Sequence, residues 1–116
     1  MNPSVLAISN FRRNSMAYLG ALTGYGFQVE DTRSFEAARV LLRTGSNPTM
    51  IIIDVKFQNE EIAAFIHFLH HEISNSAAFI TVIGCENDTL LAYGANACLE
   101  RPVQFEELLA ILEPVR

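Results

Sequence analysis

The sequence predicts an α/β fold, a doubly wound five-stranded parallel sheet of order 2-1-3-4-5 with helices on both faces, in one domain spanning residues 1–116. Three observations predict it. β-rich runs at 4–9, 27–32, 50–55, 78–84 and 95–100 alternate with helical patterns, as in a parallel sheet joined by helical crossovers. The first, third and fourth runs (SVLAIS, MIIIDV, AFITVIG) are almost continuously apolar, which strands buried on both faces require. The second, FQVEDT, alternates apolar and polar residues and suits a half-exposed edge.

Each element has its own signals. A first helix near 12–23 ends in the turn-prone Gly24-Tyr25-Gly26. Ser34 is placed to N-cap a helix over 35–44, with Gly45 to close it. Ile62, Phe65, Ile66, Leu69 and Ile73 fall at i, i+3, i+4, i+7 and i+11, one apolar stripe of a third helix. Between strands 4 and 5, residues 85–93 leave room for only about one and a half to two turns of helix. A last helix over 105–113 is stopped by Pro114.

Half of the 116 residues are hydrophobic and 18% are charged, enough for one real core and too little chain for two. No stretch approaches the roughly 20 apolar residues of a membrane span, and MNPSVLAISN lacks the charged and apolar regions of a signal peptide, so a cytoplasmic location is expected. Cys85 and Cys98 have no CxxC-type spacing, and one lies past the end of strand 4 while the other lies within strand 5. Two reduced thiols are therefore expected. Residues 1–58 carry a formal charge of +2 and residues 59–116 carry −7. A field of that sign argues against direct nucleic-acid binding and would steer a basic partner to the C-terminal half.

The apolar run Met50-Ile51-Ile52-Ile53 ends in a carboxylate, Asp54. An ionised Asp is costly in a core, so Asp54 must reach solvent, find a partner or do chemistry. In the predicted strand order the topological switch point lies between strands 1 and 3, and ligands of open α/β sheets bind beyond the carboxyl ends of the strands there. Ser9, Asn10 and Asp54 stand at that place.

Asp54 ending strand 3, Gly94-Ala95 before strand 5 and Arg101-Pro102 closing it resemble the receiver domain of two-component response regulators, a CheY-like, flavodoxin-like fold, over essentially the whole chain. The resemblance implies that Asp54 is the phosphoacceptor position. It further implies an acidic pair after strand 1 that holds Mg²⁺, a hydroxyl ending strand 4, an aromatic switch residue in strand 5, and a Lys before a cis-proline. Here Ser9-Asn10 replace the acidic pair, Ile83 (followed by Gly84) the hydroxyl, Cys98 the aromatic, and Arg101, before Pro102, the Lys. Mg²⁺ prefers carboxylate oxygens and dehydrates reluctantly, so weak or absent metal binding is expected. Losing the metal removes most of the positioning and charge neutralisation on which phosphoryl transfer depends.

Arg101 and Lys56, the only lysine, are the cations expected to neutralise Asp54 in place of the metal. The expectation is a pseudo-receiver, a signalling module that is not an enzyme and acts through protein contacts. Its expected partners are a histidine kinase or a fused output domain, or a second copy bound through the 85–93 helix, strand 5 and the last helix. The alternative is an inefficient but genuine phosphoacceptor using Asp54. A flavin or nucleotide reading of the 9–15 loop is less favoured, because that loop lacks the glycine that close phosphate approach requires. His67, His70 and His71 read as exposed histidines on the polar side of the third helix rather than metal ligands.

Overall fold

The computed structural model describes residues 4–9, 12–54, 59–73, 78–84, 94–99 and 104–112, with the side chains of 12–17, 59 and 112 excepted. Its elements run β1 (Ser4–Ser9), α1 (Arg12–Tyr25), β2 (Gln28–Thr32), α2 (Phe35–Arg43), β3 (Met50–Asp54), α3 (Asn59–His71), β4 (Phe79–Ile83), β5 (Ala97–Leu99) and α4 (Phe105–Leu112). The strands form one sheet in the order β2-β1-β3-β4-β5, every pairing parallel. The helix expected over 85–93 lies outside the described residues.

Alternation along the strands divides the core in two. Leu6, Ile8, Ile51, Ile53, Ile80 and Val82 face α2 and α3, where Phe35, Ala38, Leu42, Ile62, Phe65, Ile66 and Leu69 cover them. Val5, Ala7, Met50, Ile52 and Ile83 face the other way, under Tyr18, Leu19 and Leu22 of α1 and Leu108 of α4. A strand clad on both faces must be apolar at consecutive positions, which is why MIIID is buried throughout. The alternating strand β2 is the edge, with Gln28, Glu30 and Asp31 exposed.

Local chemistry sets the boundaries. The Ser34 hydroxyl accepts from the Ala37 N–H at 3.1 Å and caps α2, and Gly45 takes φ 113° after its last turn. Gly26, at φ 116°, closes α1 while the Phe27 N–H returns to the Leu22 carbonyl at 3.1 Å. Strand β5 begins at Ala97 rather than at 95, because the Asn96 side chain substitutes for strand pairing. Its Oδ1 accepts from the Ile80 N–H at 2.8 Å, and its own N–H donates to the Ile80 carbonyl at 2.8 Å. Gly94 just before it has φ 115°, and a Cβ there would stand 2.6 Å from His70 Nε2, so the turn into β5 is fitted against α3.

The cysteines depart from expectation, for Cys98 is disulfide-bonded rather than a free thiol. The expectation of reduced thiols rested on Cys85 lying past the end of β4 and Cys98 within β5. At the end of β4 Gly84 takes φ 92° and its N–H donates to the Leu99 carbonyl at 2.7 Å, so the two strand ends stay paired up to the position before Cys85. Cys85 itself lies outside the described residues.

Candidate functional site

The carboxyl ends of β1 and β3 meet in register, with Ser9 opposite Asp54, and Ile83 of β4 opposite Asp54 on the other side. Three positions expected at the site are therefore brought together by strand pairing alone. Gly84 comes next, at the exposed end of β4. Asn10, Lys56, Arg101 and Pro102 lie outside the described residues, as does the start of the loop considered for a flavin or nucleotide phosphate. Cys98 lies opposite Val82, half-buried against the α2–α3 side of the core and disulfide-bonded.

Asp54 does not emerge into solvent. It is 1% exposed, and Ser9 beside it is 3% exposed. A carboxylate this deeply buried needs hydrogen-bond donors, and one comes from a residue that no sequence motif singles out. Tyr18 Oη, from α1, donates to Asp54 Oδ2 at 2.6 Å, and Tyr18 is itself only 4% exposed. That length is characteristic of a phenol donating to a carboxylate, among the stronger hydrogen bonds a protein makes. The fold explains the meeting. Asp54 shares its strand face with Met50 and Ile52, the face that α1 covers, and Tyr18 belongs to the inward side of α1 with Leu19 and Leu22. A tyrosine packed inward brings a polar tip that must be satisfied, and the one carboxylate at the end of β3 satisfies it.

A second polar group lies on this side of the sheet. Thr81, fully buried in the middle of β4, has no hydrogen-bond partner for its Oγ1 among the described residues. Thr32, at the end of β2, is satisfied instead by donating to the Ala7 carbonyl at 3.1 Å.

Chemically, an acceptor carboxylate must present an oxygen lone pair to the incoming phosphorus, and a metal site must present unshared oxygens to the cation. At this position Oδ2 is engaged by a phenol, and the adjacent strand end offers a serine rather than an acid. No group of three or more His, Cys, Asp or Glu side chains gathers among the described residues in a way that could hold a metal ion.

No protein-family model matches the chain, and no curated protein sequence matches it significantly. Solved structures do. A CheY-like response regulator receiver domain from Methylobacillus flagellatus superposes with a TM-score of 0.84 at 18% identity over 100% of both chains. A chemotaxis response regulator of Vibrio cholerae gives 0.82 at 20% identity, again over 100% of both. The receiver domain of a sensor histidine kinase from Pseudomonas aeruginosa, with magnesium coordinated in its active-site cleft, gives 0.74 at 19% identity over 98% of this chain and 97% of that one. The fold of this chain is that of response regulator receiver domains.

Proposed function

We propose that this protein is a receiver-fold signalling module of the pseudo-receiver kind, working through protein contacts without ordinary Mg²⁺-dependent phosphorylation of its aspartate. The observation that carries the reading is the buried bond from Tyr18 to Asp54. The Pseudomonas aeruginosa receiver domain holds a magnesium ion in its active-site cleft. In this chain a hydroxyl from α1 reaches the strand-3 carboxylate, and Ser9 stands beside it.

The phenol engages Oδ2 at 2.6 Å, and a carboxylate oxygen so held is not free to meet an incoming phosphorus. Asp54 then serves as a structural tie between β3 and α1. On this reading the module is not an enzyme and works in the cytoplasm. Its output is a fixed surface recognised by a protein partner, a histidine kinase or an output domain among them, or by a second copy through β5, α4 and the 85–93 segment. No described helix is long and apolar enough to cross a membrane.

Incubation with acetyl phosphate and Mg²⁺, followed by intact-mass measurement, tests this directly. The expected outcome is an unchanged mass. A gain of one phosphoryl group that needs Mg²⁺ and disappears in Asp54→Ala would instead establish Asp54 as a working, if inefficient, acceptor.

A further inference from the structure

Cys98 carries a disulfide on β5, a strand of three residues that ends the sheet order. All three residues of β5 are partly exposed, Cys98 among them, and they pair with β4 at three positions. A sulfur so placed is within reach of an attacking thiolate, and access is one of the conditions that set the rate of thiol–disulfide exchange. The sequence holds two cysteines, so a bond within one chain joins Cys98 to Cys85. The described residues on either side agree with that pairing. The Gly84 N–H donates to the Leu99 carbonyl at 2.7 Å, and Cys85 directly follows Gly84 while Cys98 directly precedes Leu99.

The two ends of β5 are held by different means. At its start, the Asn96 side chain and backbone make two hydrogen bonds of 2.8 Å to Ile80, and the Gly94 turn before it is fitted against His70 and Ile66 of α3. None of these needs the disulfide. At its C-terminal end, Ile83 pairs with Leu99 and the Gly84 N–H makes its bond to the Leu99 carbonyl, and this is where the disulfide adds a covalent link.

We infer that the Cys85–Cys98 disulfide is a redox-sensitive link on the C-terminal end of β5, broken by a thiol reductant and remade by a peroxide. In the first direction a reductant thiolate attacks one sulfur and forms a mixed disulfide, which a second reductant thiol resolves. Both cysteines leave as thiols carrying the two protons that the reductant gives up, and the reductant leaves as its own disulfide. In the other direction hydrogen peroxide oxidises one thiol to a sulfenic acid with loss of water, and the second thiol condenses with it, releasing a second water. Disulfides in reducing compartments are usually transient and redox-sensing, so the inference rests on the cytoplasmic part of the proposed function. It also gives a means of regulation to the face that includes β5. Asp54 takes no part in it, so the two readings fail separately.

The test applies reduced glutathione, at the poise of a reducing cytoplasm, to the whole chain, followed by non-reducing peptide mapping and amide hydrogen exchange by NMR. Mapping is expected to find the 85–98 link before treatment and its loss afterwards, in protein that stays folded. The Gly84 amide should then exchange about tenfold or more faster, while the Ile80 amide, held by the Asn96 side chain, keeps its rate. Hydrogen peroxide should restore both observations. Cys98→Ser and Cys85→Ser should each show fast Gly84 exchange from the outset and no response to glutathione, which separates loss of the bond from altered packing at one residue. A bond that resists glutathione until the chain unfolds would be structural and would overturn the inference. So would Gly84 and Ile80 rates that change together, a Gly84 rate indifferent to reduction, or a link that mapping places between two chains.

Discussion

Replacing Tyr18 with phenylalanine is expected to destabilise the domain by about 1.5–3 kcal/mol, the range for removing a hydrogen bond to a charged group. The ring is kept, so apolar packing against Leu19 and Leu22 changes little. What is lost is a donor to a carboxylate that is 1% exposed and has little water to take the donor's place. The asymmetry of buried polar groups sets the size of the effect, because the partner left behind costs more than the bond itself contributes. Asp54→Asn should cost less, since an amide oxygen still accepts from the phenol. The double variant should show coupling of about 1 kcal/mol or more, as expected of groups in direct contact. Urea unfolding of the four proteins measures this. A change in Tyr18→Phe below roughly 0.5 kcal/mol, the scale of a neutral surface substitution, would mean that the bond does not hold β3 to α1.

The second large effect is on the other face of the sheet. Phe65→Ala is expected to cost about 3–5 kcal/mol, the range for truncating a fully buried phenylalanine. Phe65 is 0% exposed and stacks on Phe35 with ring centres 4.9 Å apart. It also lies 5.8 Å from the centre of the Phe68 ring, and Arg39 covers it from outside. It joins α2 to α3 above the strand residues of that face, so its removal leaves a cavity that neither helix can close without moving away from the sheet. Total stabilities of such domains are about 5–15 kcal/mol, so much of the margin would go. A fall in melting temperature of at least roughly 10 °C is the readout. Retention of near-native melting would show that the helices repack around the gap.

The fold was legible because its signals agree with one another. Buried parallel strands must be apolar at nearly every position, and MIIID and FITVI are. The edge strand alternates and stands at the edge, and the stripe from Ile62 to Leu69 is the inner side of α3. The strand order followed from those differences in exposure. Ser9, Asp54 and Ile83 were brought together by register alone, which sequence position determines once the strands are known.

The features that stayed hidden depended on side chains meeting across elements. Tyr18 gave a signal that could have been used. Right-handed crossovers put α1 on the face opposite α2 and α3, strand parity puts Asp54 on that same face, and a tyrosine on the inward side of a helix needs a polar partner. The phenol of Tyr18 is a donor to Asp54 that no motif singled out, while the cations expected there, Arg101 and Lys56, lie outside the described residues. The bonded state of Cys98 was missed for a different reason. It depends on where the chain runs between β4 and β5, and no periodicity in the sequence reports that. The stacking of Arg39 and Arg43 on Phe68 arises between two helices whose relative placement only the sheet determines.

The central claim is that the strand-3 carboxylate is tied to α1 and is not open to a metal or a phosphoryl group. The most direct test is an amide NMR titration of the protein with Mg²⁺ and beryllofluoride, following Ser9, Tyr18 and Asp54. The account predicts that these resonances stay in place through the titration. Mg²⁺-dependent shifts centred on Asp54, accompanied by movement of Tyr18, would contradict it and make the domain a receiver that opens to its ligand.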